Sequence, residues 1–150
     1  MLARLERLSK MNSRTLRILE FDKIIQRLVG YANTSLGKAR CNSLLPSVNL
    51  DDIKNAQQET KDALTRIYKH GNISFAGVFD VKESLMRLEI GSSLDASELL
   101  NISSLLEVTV HVKQYGTTLV DFEEPDSLTT YFSSLTPLEF LSREITRCII

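Results

Sequence analysis

The residue types that could carry chemistry are few in this sequence, and their spacing argues against most of the chemistry they suggest. Gly37-Lys38 resembles the end of a phosphate-binding loop, where backbone N–H groups cradle phosphate and a lysine neutralises it. That motif needs an earlier glycine where Ala32 stands, and a Ser/Thr for magnesium where Ala39 stands. The pair also falls between two helical patterns rather than after a strand. His70 and His111 are 41 residues apart, without HxxH or HExxH spacing and without a neighbouring Cys pair, so structural roles are expected for both. Cys41 and Cys148 fit neither a disulfide framework nor a metal cluster, and both sit in aliphatic helical patterns that predict core thiols. Asp121, Glu123, Glu124 and Asp126 lack the alternating ligands, central Gly and terminal Glu of a calcium loop, which predicts a solvated acidic loop. Arg4, Arg7, Arg14 and Arg17 form the one basic concentration. They are interleaved with Leu rather than aromatics, which disfavours base stacking and leaves contact with backbone phosphate open. No catalytic residue and no metal ligand is assigned.

Charge sharpens that last point. The net charge of −1 conceals nine Lys/Arg against three Asp/Glu in residues 1–40, and nine against sixteen in residues 41–150. A basic amino-terminal third can face phosphate, or it can pair with the acidic remainder of the fold.

Helical periodicity dominates the elements that must position these residues. Phe21, Ile25, Leu28 and Ala32 share one helical face; Thr34 is placed to cap a second helix, which Pro46 closes. Asn49 or Asp51 opens a long amphipathic helix with Ile53, Ala56, Ala63, Leu64 and Ile67 on one side. Its opposite, polar face carries Glu59, Asp62 and Arg66. Residues 72–80 are the non-helical interlude, an extended loop or a short strand. A helix over about Val81–Ile90 ends at Gly91, and Asp95 with Glu98 forms a capping box. The segment beyond it is apolar all round, which predicts a central buried helix, although Val108-Thr109-Val110-His111-Val112 also suits a strand. Thr136, Pro137 and Glu139 open a last helix with the stripe Leu138, Leu141, Ile145, Cys148 and Ile149. That stripe is still in phase at Ile150, which predicts that the helix continues. The fold class is therefore all-α, a helical bundle of one domain's length. The longest apolar runs fall short of the roughly 18 residues of a membrane span. The amino terminus lacks the continuous apolar stretch of about 7–15 residues of a signal peptide, so a cytoplasmic location is expected.

Several segments together resemble a known family. Thr15-Leu16-Arg17-Ile18-Leu19-Glu20-Phe21-Asp22-Lys23-Ile24 is similar to the opening signature of the second bacterial MutS lineage. The similarity continues through Thr34-Ser35-Leu36-Gly37-Lys38, Leu45-Pro46 and Gln58–Leu64, and resumes at Gly77 and Asp80, then at Glu89-Ile90-Gly91 and Leu94–Ile102. It covers most of residues 12–105 and returns in the last helix. It implies that residues 1–11 are an amino-terminal extension, and that 12–150 are a fragment of a MutS-like helical core domain. It further implies a parent that is a homodimeric ATPase and endonuclease. Such a parent acts on branched DNA, suppressing recombination, or on collided ribosomes (rRNA-binding, ribosome rescue). ATP, magnesium and all catalytic motifs would then lie downstream, leaving this chain no cofactor of its own. Its own contribution would be phosphate contacts at most, from Arg14, Arg17, Lys38 or Arg40. The alternative is a pure scaffold or dimer-interaction domain without nucleic-acid contact.

Overall fold

A computed structural model describes residues 13–117 and 125–149. Among them are eight helices and no strand: α1 (Ser13–Ile18), α2 (Phe21–Tyr31), α3 (Ser35–Asn42), α4 (Leu50–His70), α5 (Lys82–Glu89), α6 (Ala96–Thr117), α7 (Thr129–Ser134) and α8 (Glu139–Ile149). The all-α expectation holds, and the ambiguous Val108–Val112 stretch is helical inside α6. The proposed extension, residues 1–11, and most of the acidic loop lie outside the described residues. The chain forms two compact units that meet in sequence within α4, at Lys61 and Asp62.

In the first unit α2 packs against α1 and α3. The break between α1 and α2 is a left-handed turn at Glu20 (φ 53°, ψ 34°), whose carboxylate receives Lys23 Nζ at 2.6 Å. Thr34 caps α3 as expected, its Oγ1 accepting the Gly37 N–H at 3.0 Å. Asn49 rather than Asp51 caps α4, with Oδ1 accepting the Asp51 N–H at 3.0 Å. Phe21, Ile25 and Val29 are half-buried on one face of α2, and no residue of α2 or α3 is fully buried.

In the second unit the long helix α6 packs against α8 and α7. The capping box is reciprocal: the Glu98 N–H donates to Asp95 Oδ1 at 2.9 Å, and the Asp95 N–H donates to Glu98 Oε2 at 3.0 Å. Glu98 also receives Ser84 Oγ at 3.0 Å and the Arg87 guanidinium, so one carboxylate caps α6 and ties α5 to it. The interlude before α5 is a loop with a turn closed by the Val78 N–H on the Phe75 carbonyl. Gly77 occupies that turn at φ +93°, and a Cβ there would press to 3.2 Å of Val108. The position therefore favours glycine both for its backbone angle and for its close approach to α6.

Two expectations about burial are corrected. Helix α6 is not enclosed: only Ser103, Val112 and Gly116 are fully buried along it. Helix α8 is turned from its predicted phase. It buries Ser142 against Ser103, whose hydroxyls lie 2.9 Å apart, with Thr146 Oγ1 3.1 Å from Ser103 Oγ. Leu141 and Cys148 are consequently exposed. Hydroxyl side chains are small and satisfy one another, so the two backbones approach closely without an unpaired buried polar group.

Candidate functional site

Arg14 and Arg17 lie one turn apart on α1, so they share a side of that helix, and both are exposed. Lys38 and Arg40 are exposed on α3, but two residues along a helix are turned by about 200°, so they point to different sides. The four cations thus do not make one continuous helical stripe. Lys38 also sits in no phosphate cradle. The Gly37 N–H is spent on Thr34 Oγ1, and the Lys38 N–H donates to the Thr34 carbonyl at 2.9 Å. These residues do not fit a nucleotide.

The most completely built polar cluster lies elsewhere and was missed from sequence. Arg66, expected on the polar face of α4, is only 7% exposed. Its Nε donates to Asp126 Oδ2 at 2.5 Å and its Nη2 to Asp126 Oδ1 at 2.6 Å, a two-pronged pair that matches guanidinium to carboxylate. Nη2 also reaches Thr129 Oγ1 at 3.1 Å, and Nη1 reaches the Gly116 carbonyl at 3.4 Å. The guanidinium lies 4.8 Å from the Phe132 ring centroid, and Tyr115 meets that ring edge-on at 6.0 Å. An added Cβ at Gly116 would overlap the Phe132 ring.

Asp126 has a second task. Its Oδ1 accepts the N–H groups of Leu128 and Thr129, both at 3.0 Å, and so organises the start of α7. One turn before Arg66, Asp62 accepts the Ser127 N–H at 3.1 Å and Ser127 Oγ at 2.6 Å. Helix α4 therefore grips the 126–129 segment at two points. The hydrogen bonds from Arg66 hold the Asp126 carboxyl down to about 2, against the opposing effect of its partial burial. The same pairing raises the already high pKa of Arg66. With its three nitrogens committed to protein acceptors, Arg66 is a structural cation rather than a ligand-binding one. A sequence signal existed in Asp126-Ser127-Leu128-Thr129, which has the local bonding pattern of a helix opening.

His70 is the exposed last residue of α4. His111 lines a groove of about 200 Å³ between α6 and α8, together with Glu107, Val110, Glu139, Ser142 and Arg143. That volume is below the roughly 300 Å³ at which ligand pockets usually begin. Among the described residues no group of three or more His, Cys, Asp or Glu side chains is arranged to hold a metal ion. No described helix is long and apolar enough to cross a membrane.

The chain is 50% identical to Endonuclease MutS2 of Lachnoclostridium phytofermentans over 93% of its own length and 18% of that protein's. It is 44% identical to Endonuclease MutS2 of Agathobacter rectalis, with the same shares of 93% and 18%. It is 35% identical to the protein of that name from a Geobacillus species, again over 93% and 18%. Over nearly all of its length the chain is thus similar to a region of MutS2-type proteins. No family model matches it. Because the chain spans less than one fifth of these relatives, the activity in their name attaches to a far longer polypeptide than the one described.

Proposed function

We propose that this chain is the non-catalytic helical N-terminal module of a MutS2-type ATPase and endonuclease, which supports the clamp of that protein and passes its nucleotide state along. The parent acts in the cytoplasm as a homodimer on branched DNA or on collided ribosomes, with ATP and magnesium held by its other domains. The observation that carries this reading is the contrast between 93% coverage of the chain and 18% coverage of the relative. The side chains present here support it: the buried Arg66 holds helices together through Asp126, while Arg14, Arg17, Lys38 and Arg40 are exposed on α1 and α3.

Arg14 and Arg17 together, with either Lys38 or Arg40, supply the chain's contacts with phosphate. Binding of branched DNA to the chain should then be weak, and its logarithm should fall with the logarithm of salt by about 0.9 per phosphate contacted. Reversing both Arg14 and Arg17 to Glu should flatten that slope by about two. Salt-independent binding, or reversal without effect on either DNA or ribosomes, would sink the phosphate-contact part of the reading. A scaffold without nucleic-acid contact is the second reading, favoured by the exposed Leu138 and Leu141 at the start of α8. It predicts no binding even at low salt.

A further inference from the structure

Helices α2 and α3 pack against each other, and only residues 32–34 separate them. Two helices joined by so short a turn form the arrangement that presents the second helix to the major groove of duplex DNA. Here the turn is tight: Thr34 Oγ1 caps α3 through the Gly37 N–H, and a Cβ on Gly37 would press to 2.9 Å of that oxygen. At about 100° per residue, Ala39 points away from the half-buried pair Gly37 and Cys41. Ser35 and Asn42, within about 60° of Ala39, share its exposed face, with Leu36 beside them at 41% exposure. Lys38 and Arg40 stand about 100° to either side of Ala39, one on each flank. Among the described residues no carboxylate pairs with either cation, and α3 carries no acid of its own.

We infer that α3 is a recognition helix: its outer face enters the major groove of B-form DNA, and Lys38 and Arg40 reach phosphates of the two opposite strands. This rests on the proposed reading that the chain meets nucleic-acid phosphate. It goes further, because that contact needs only one of the two cations and names no groove. A helix with its side chains is about 10–12 Å across and the groove is about 12 Å wide, so cations on both flanks face both walls at once. The residues between them suit the groove floor. Ser35 and Ala39 are too small to hold the helix off the bases, and Asn42 carries the amide that bonds adenine edges. Leu36 and Ala39 are apolar partners for thymine methyl groups. Charge complementarity selects DNA over a protein surface, since unpaired cations on opposite flanks match two rows of phosphate. Duplex RNA carries the same charge, but its deep, narrow major groove is closed to side chains.

The test follows the fluorescence anisotropy of labelled duplexes titrated with the whole 150-residue chain over a range of salt. Three probes share one sequence: DNA, RNA, and DNA with glucosylated 5-hydroxymethylcytosine, whose sugars fill the major groove. The expected result is binding to plain DNA about tenfold tighter than to either other probe. Ala39→Glu aims a carboxylate at the groove floor from an exposed site and should bring DNA binding down to the RNA level. Asn42→Asp changes the same face at constant size and should weaken DNA binding severalfold. Circular dichroism checks that each variant keeps its helices, and Asn42→Asp decides the matter if Ala39→Glu does not fold. Lys38→Gln and Arg40→Gln should each flatten the salt slope for DNA by about 0.9. Equal affinity for the three duplexes would overturn the inference, as would unchanged affinity in a folded Ala39→Glu or Asn42→Asp chain. If reversing Arg14 and Arg17 to Glu still weakens that equal binding, the phosphate-contact reading stands without the groove. No binding to any probe at low salt defeats both.

Discussion

Asp126 concentrates several dependencies in one side chain, because it neutralises Arg66 and opens α7 at the same time. Replacing it by Asn leaves a mostly buried guanidinium without its counter-charge. With Asp126 itself partly exposed, the expected cost is about 2–4 kcal/mol, seen as a lower urea midpoint with an unchanged slope. The pH dependence follows from the lowered pKa. The unfolded carboxyl titrates near 3.9 and the folded one at about 2. The unfolded chain therefore binds this proton first, and the stabilisation is present above pH ~4 and lost as the pH falls towards 2. Urea titrations from pH 6 to 2.5 should show this loss in the natural sequence and a shallower one in Asp126→Asn. Gly116 is the complementary case. Gly116→Ala should cost about 1–3 kcal/mol through overlap with the Phe132 ring. Thermal melts should show part of that cost recovered in the double variant Gly116→Ala/Phe132→Leu.

Among the elements, the joint at Glu98 is the most exposed to test. Asp95→Ala removes one half of the capping box and should cost about 1 kcal/mol. Glu98→Ala removes the other half and also the bonds to Ser84 and Arg87. Hydrogen exchange should therefore quicken in α5 as well as at the start of α6. The caps at Thr34, Asn49 and Asp95 were legible because a cap is a local contract between residues two or three positions apart. The phases of α6 and α8 were not. Sequence periodicity names the apolar face of a helix but not which of two neighbours that face will meet. In α8 the packed neighbour took the Ser142 side instead. Arg66 was misread for a related reason: its partner Asp126 is sixty residues away. Only folding brings together a cation with nearby acids on its own helix and an acid in a loop that reads as solvated. The short helix α7 has the same kind of local cap, at Asp126, but the run of acids before it makes the segment read as a solvated loop. The basic residues of α1 and α3 could be listed from sequence, but the divergence of Lys38 from Arg40 needed the helix boundaries.

At the scale of the molecule, apolar cover is scarce. Val112 is the one fully buried large hydrophobic residue among those described, while Tyr31, Leu45, Tyr68, Ile90 and Phe140 are all more than 70% exposed. Exposed apolar area of this kind marks interaction surface, and the chain should bind a dye such as ANS more strongly than a compact protein of its mass. The two units provide a second check. Native-state hydrogen exchange of Asp126→Asn should accelerate amides in α6 and α7 while leaving α2 and α3 near their original rates, since the broken contacts lie wholly within the second unit.

The left-handed turn at Glu20 has a consequence for how this sequence can drift. A residue with a Cβ pays roughly 1–2 kcal/mol to hold that backbone angle, and its surface ion pair with Lys23 returns little of it. In a saturation library scored for folding, position 20 should rank substitutions in the opposite order to the helices on either side. Glycine and asparagine, penalised elsewhere, should be enriched there, and valine and isoleucine should be depleted. A turn that looks incidental would then appear as one of the narrower gates through which variants of this region pass.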